Sequence, residues 1–160
     1  MITCEKVCKS YPGSPEILQN INLEILSGEL VFVTGPSGAG KTTLLKLISA
    51  IVKPSSGSII FESQNLSRIK DREIPILRRR FGMIFQDHKL LYDRNCFANV
   101  ALPLEINNMS FSDMNRRVRA ALDKVDLLKK EKMMPITLSG GEQQRLAIAR
   151  AIVSRPSILI

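Results

Sequence analysis

The sequence predicts an α/β fold over residues 1–160, with a mostly parallel sheet, an antiparallel β part and an inserted helical subdomain at about residues 97–135. Three observations predict it. Short alternating stretches open the chain, a compact apolar run passes through a glycine-rich loop into an amphipathic helix, and a helix-rich stretch precedes a second short apolar run. At 160 residues the chain can bury one core of moderate size.

The first strand is expected over Ile2 to Val7. A second follows with Leu18, Ile21, Leu23 and Ile25 spaced by polar residues, the alternation of a half-exposed antiparallel strand, and Gly13 and Pro15 mark the turn between them. Leu30-Val31-Phe32-Val33 is too short for a helix and nearly free of polar residues, which predicts a strand buried on both faces. From Lys41 the spacing turns helical, with Leu44, Leu45, Leu47, Ile48 and Ile51 forming an apolar side that stops before Pro54 and Gly57. Strands are expected again at Ser58 to Phe61 and Gly82 to Phe85. Ser112 is placed as the cap of a helix running to about Val125, with Val118, Ala121, Leu122 and Val125 inward. A last helix is expected from Glu142 to Val153, followed by a strand beginning near Ile158.

Composition narrows the class. With 44% hydrophobic and 24% charged residues the chain is neither disordered nor fibrous. No window approaches the ~18 uninterrupted apolar residues of a membrane-spanning helix, and the first residues lack the basic-then-apolar order of a signal peptide, so a cytosolic setting is expected. Cys4, Cys8 and Cys96 form no Cys-x-x-Cys pair, and His88 is the single histidine, so reduced thiols are expected in place of a disulfide framework or zinc site. The net charge of +8 gathers in Arg78-Arg79-Arg80, in Arg116, Arg117 and Arg119, and in Lys129, Lys130 and Lys132. Such clusters suit a solvated face, polyphosphate, an anionic membrane surface or nucleic acid. Aromatics are 5% of the chain and none interleaves these clusters, so no nucleic-acid partner is expected.

Gly35-Pro36-Ser37-Gly38-Ala39-Gly40-Lys41-Thr42 fits G-x-x-x-x-G-K-[ST], between an apolar run and a helix start. Glycines without Cβ let the backbone curl so that successive N–H groups face one concavity, and the helix that follows adds about half a positive charge there. Lys41 would reach the β- and γ-phosphates of a nucleoside triphosphate, Thr42 would offer its hydroxyl to magnesium, and the amides of Gly38 to Thr43 would hold the phosphate chain. A dinucleotide fingerprint fails, because Gly38-x-Gly40-x-x-Thr43 lacks the third glycine and carries a lysine inside the loop.

Leu138-Ser139-Gly140-Gly141-Glu142-Gln143-Gln144-Arg145 is a second helix start. Ser139 is a good N-cap and Glu142 completes a capping box. On physics alone it is either a well-capped helix or an anion-binding helix terminus.

Together the two motifs resemble those of the ABC ATPases, residues 138–145 standing where that family has its signature. The resemblance implies a phosphate-loop fold of ABC type, with ATP and Mg2+ as cofactors. It implies that Tyr11 stacks on adenine and that Gln86 contacts magnesium and the attacking water and senses a membrane partner. Lys41 and Gln86 would then be catalytic, Thr42 and Gln86 metal contacts, and Gly35 to Thr43 the nucleotide cradle. Two such domains pair head to tail in that family, so Ser139, Gly140 and Gly141 would close over the γ-phosphate of a second chain. His88 does not match the family's switch histidine, which lies well beyond the signature, and is expected on a loop surface.

Residues 82–94, 99–104, 72–79 and 120–125 are similar to the cell-division branch of the family, and the lipoprotein-releasing and macrolide-exporting branches are similar over the same region. A non-hydrolysing, nucleotide-gated binding module is a third reading. The resemblance implies a peripheral protein on the cytoplasmic face of the inner membrane that hydrolyses ATP when full length. It also places the family's hydrolytic Asp and Glu just after the strand at Ile158 to Ile160, so the chain is expected to be a fragment, inactive alone.

Overall fold

The alternation over the first 25 residues builds an antiparallel sheet. The computed structural model describes residues 1–160, which divide into two units, residues 1–78 and 79–160. In the first unit β1 (Ile2–Lys9), β2 (Leu18–Ile25), β3 (Ser56–Phe61) and β4 (Gln64–Asn65) form one sheet in the order β2-β1-β3-β4, all neighbours antiparallel. Ile2 pairs with Ile25 on one side and Phe61 on the other.

The inward residues of β1 are Ile2 and Cys4, then Val7, so the period-2 pattern slips by one. The slip is a bulge: Lys6 has φ 48°, and the register shifts between Cys4 and Val7 against β2 and between Glu5 and Cys8 against β3. Gly57 sits against that bulge with φ 82°, and a Cβ there would lie 2.3 Å from the Lys6 carbonyl oxygen. Only glycine meets both conditions.

The expectation for Leu30 to Val33 is corrected. The run joins no ladder, and Leu30 and Phe32 are each 79% exposed. Its composition reports the burial it suits, but a strand exists only through its neighbours' hydrogen bonds, and no segment of residues 1–160 pairs with it. Residues 1–160 hold two sheets, the four-stranded antiparallel one and, in the second unit, a two-stranded parallel one. Helix α1 (Lys41–Ile48) starts where expected and buries Leu44, Leu47 and Ile48, with Ile51 lying beyond its end.

The first unit ends with α2 (Ile74–Arg78), a one-turn helix that buries Leu77. In the second unit β5 (Phe81–Gly82) and β6 (Ile158–Leu159) are parallel. The ladder runs on through Ile160 N–H to the Gly82 carbonyl at 2.9 Å and Ile84 N–H to the Ile160 carbonyl at 2.7 Å. Three helices pack beside each other: α3 (Cys96–Ile106), α4 (Phe111–Lys124) and α5 (Gly140–Ile152). Their shared core includes Val100, Leu104, Val118, Leu122, Leu127 and Leu146.

The cap of α4 is Ser110, whose Oγ accepts from Asp113 N–H, and not Ser112. Both serines flank Phe111, and the pattern alone does not choose between them. Val118, Ala121 and Leu122 are inward as expected, with Val125 half-buried just past the helix end. Cys4 and Cys96 are buried and Cys8 is half-buried, all three as free thiols. No helix is long and apolar enough to cross a membrane.

Candidate functional site

The first unit carries the phosphate loop. Gly35, Gly38 and Gly40 have φ 147°, 80° and 86°, the left-handed half of the map that lets the loop curl. Gly40 is the N-cap of α1, and the first helical bond, Leu44 N–H to Gly40 C=O at 2.9 Å, leaves the preceding helix amides to a ligand. A Cβ on Gly40 would meet Leu18 Cδ2 at 2.7 Å and Ile17 Cγ2 at 3.0 Å, so the start of β2 packs directly against the loop. A Cβ on Gly38 would meet nothing within 4 Å, so that glycine faces open space.

Lys41 folds back over the loop, its Nζ donating to the carbonyls of Gly35 and Pro36 at 2.7 Å each. Two of its three protons are used and the third is free for an anion. Thr42 is exposed one residue on, Thr43 is half-buried, and Ser37 and Ala39 lie exposed in the loop between the glycines. The unbonded amides in the first turn of α1, the Lys41 ammonium and the exposed Thr42 supply the donor and hydroxyl chemistry that a magnesium nucleoside triphosphate takes. Tyr11 lies in the turn after β1, half-buried, with Lys9 Nζ 4.9 Å from its ring centroid.

The second unit carries Gln86 and the signature residues. Gln86 is exposed in the turn that leaves the parallel ladder. Ser139 caps α5: its Oγ accepts from Glu142 N–H, and Glu142 Oε2 accepts from Ser139 N–H at 2.9 Å, completing the capping box. Lys130 donates to the other oxygen of Glu142, and with the Ser139 amide holds that carboxyl well below its ordinary range, at about 2. The cap is thus an ion-paired, rigid terminus.

Gly140 and Gly141 have no need of glycine within the chain. Both are helical and exposed; a Cβ on Gly140 meets nothing within 4 Å, and one on Gly141 first meets Arg145 Nη1 at 3.9 Å. Glycine in the middle of a helix is unfavourable by about 0.5–1 kcal/mol against alanine, and some of that penalty applies in the first turn of α5, where these two stand. An open surface kept bare at that expense suits close approach by a ligand or a second chain.

Three residues near Gln86 escape the sequence reading. Arg150 donates from Nη2 to the His88 carbonyl at 2.6 Å and from Nη1 to the Lys89 carbonyl at 2.7 Å. Asn99, fully buried, binds Leu91, Arg94 and Asn95 backbone, and Gln143 meets the Tyr92 hydroxyl at 3.3 Å. The available signal is a polar side chain within an apolar helical stretch, as Asn99 is between Cys96 and Val100. His88, expected on a loop surface, is half-buried in this loop with its Nδ1 enclosed and unpartnered.

The ABC transporter family profile matches residues 18–160. The cell division ATP-binding protein FtsE of Escherichia coli K12 is 55% identical over 160 residues, all of this chain and 72% of that protein. FtsE of Bacillus subtilis 168 is 45% identical, again over all of this chain and 70% of its own length. Among solved structures, the dimeric post-hydrolysis state of the ATP-binding cassette MJ0796, bound to ADP and Pi, aligns with TM-score 0.92 at 34% identity, over 99% of this chain and 72% of that one. The fold, the curled phosphate loop and these likenesses agree, and the chain belongs to the ABC transporter family, as one of its ATP-binding proteins.

Proposed function

We propose that the full-length protein binds and hydrolyses MgATP to drive a membrane partner in bacterial cell division, working as a head-to-tail homodimer on the cytoplasmic face of the inner membrane. The observation that carries the reading is the Lys41 ammonium poised over a loop of left-handed glycines at the start of α1. The FtsE relatives support the division role, and the dimeric MJ0796 cassette supports the pairing.

In this reading Lys41 and the Gly35 to Thr43 backbone hold the phosphates, Thr42 holds the magnesium, and Tyr11 stacks on the adenine. The metal, when bound, neutralises charge that develops on the transferring phosphoryl oxygens. Gln86 contacts the metal and orients the attacking water. Ser139, Gly140 and Gly141 of one chain seal the nucleotide held by its partner, which explains glycines that this chain's own packing does not require. We further read α3 and α4 as the core of an inserted helical subdomain at about residues 97–135.

The partner is an FtsX-like membrane protein. Detergent extraction of the tagged full-length protein from its own cells tests this. An FtsX-like protein should copurify in an ATP-dependent manner; capture of a lipoprotein or macrolide exporter permease in its place would overturn the division role. A full-length protein that binds ATP but never releases phosphate would make it a nucleotide-gated binding module instead.

A further inference from the structure

The turn after Gln86 is conformationally unusual. His88 and Lys89 both have left-handed backbones, φ 58° and 46°, although neither is glycine. Non-glycine residues visit that region uncommonly; successive pairs occur in tight hairpin turns, as at Glu62 and Ser63 between β3 and β4, but His88 and Lys89 join no hairpin, so a hold from beyond the turn suits them. The carbonyls of these two residues are the ones that the Arg150 guanidinium grips, one with each Nη. Arg150 lies on α5, the helix that begins with the signature glycines.

We infer that Arg150 is a positioning residue for Gln86, clamping the turn that carries Gln86 to the signature helix. The inference rests on the reading of Gln86 given above. A planar fork suits two neighbouring carbonyls, whereas an ammonium can serve them only as a point donor. The guanidinium is partly buried, which lowers its pKa and limits the water that could substitute for the bond to the His88 carbonyl. Gln143, seven residues earlier and so on the same face of α5, adds a second hold through Tyr92. From the same side chain Gln143 donates to the carbonyls of Pro135 and Leu138, the segment entering the signature. The Gln86 turn and the helix start at Ser139 are therefore tied to one element.

The test is a double-mutant cycle on ATP hydrolysis by the full-length protein, with Arg150→Met, Gln86→Ala and the pair. Arg150→Met should lower kcat by about ten-fold or more while ATP affinity stays within about two-fold, since misplacement of a catalytic group by about 1 Å can reduce the rate on the order of 100-fold. In the Gln86→Ala background the same change should lower kcat by no more than about two-fold. Arg150→Lys should recover part of the loss. Equal factors in both backgrounds, or unchanged kcat for Arg150→Met, would overturn the inference. If Gln86→Ala alone turns over at the wild-type rate, the role given to Gln86 fails first and takes this inference with it. Should Arg150→Met not fold, the cycle is run with Arg150→Lys, which keeps the charge, and the same two criteria decide.

Discussion

Replacement of Asn99 offers a quantitative check on how the loop after Gln86 is held. The side chain is fully buried; its Oδ1 accepts from Leu91 N–H at 2.8 Å, and its Nδ2 donates to the carbonyls of Leu91, Arg94 and Asn95 at 2.9, 2.9 and 3.0 Å. Two N–H bonds serve three carbonyls, so three full hydrogen bonds are at stake. At about 1 kcal/mol net each, Asn99→Ala should destabilise the second unit by about 3 kcal/mol. Asn99→Asp keeps the shape and the acceptor but turns oxygen lone pairs toward three carbonyl oxygens in a dry site, so it should be worse than alanine. Urea unfolding of the full-length protein measures both. With a slope of about 2 kcal/mol per molar, the alanine midpoint should fall by about 1.5 M. An Asn99→Asp protein as stable as Asn99→Ala, or an alanine loss below about 1 kcal/mol, would refute the assignment of these bonds.

Three further outcomes are expected. Gly57→Ala should weaken the β1–β3 pairing by about 3 kcal/mol or more, because a Cβ there would lie 2.3 Å from the Lys6 carbonyl oxygen at φ 82°; chemical denaturation reads it. Gly140→Ala should leave stability unchanged or raise it by up to about 1 kcal/mol, since nothing lies within 4 Å, yet lower ATP hydrolysis at saturating nucleotide; a thermal melt beside a phosphate-release assay separates the two effects. Glu142 has a folded pKa depressed from 4.5 to about 2 by Lys130 and the Ser139 amide. Its contribution is therefore complete above pH 4.5 and lost as pH falls through about 2, and Lys130→Met should flatten that acid limb of the stability profile.

Local chemistry was legible in the sequence, and long-range pairing was not. Gly40 and Lys41 mark a helix start by residue type alone, and the structure puts α1 at Lys41; Ser139 and Glu142 form the capping box that their spacing implies. Leu30 to Val33 shows the opposite case. Its apolar run states a preference for burial, but which strand pairs with it is decided by distant chain, and within residues 1–160 none does. The β1 bulge at Lys6 escapes a strict alternation reading, because Val7 is inward one position late. The helical reading of about residues 97–135 holds for α3 despite Pro103, which removes only the bond to the Asn99 carbonyl, while the Asn95 cap fixes the start. Arg150 is hidden for a different reason: nothing in its neighbours along the chain foretells carbonyls 61 and 62 residues away.

The central claim is that the loop amides and the Lys41 ammonium form a cup for a triphosphate. Titration calorimetry of MgATP into the folded full-length protein, beside Lys41→Ala, tests it most directly. Saturable heat for the wild type and an affinity loss of about 100-fold for the variant, near 2.7 kcal/mol, are expected. Equal affinities in the two proteins, or no heat with any nucleoside triphosphate, would contradict it.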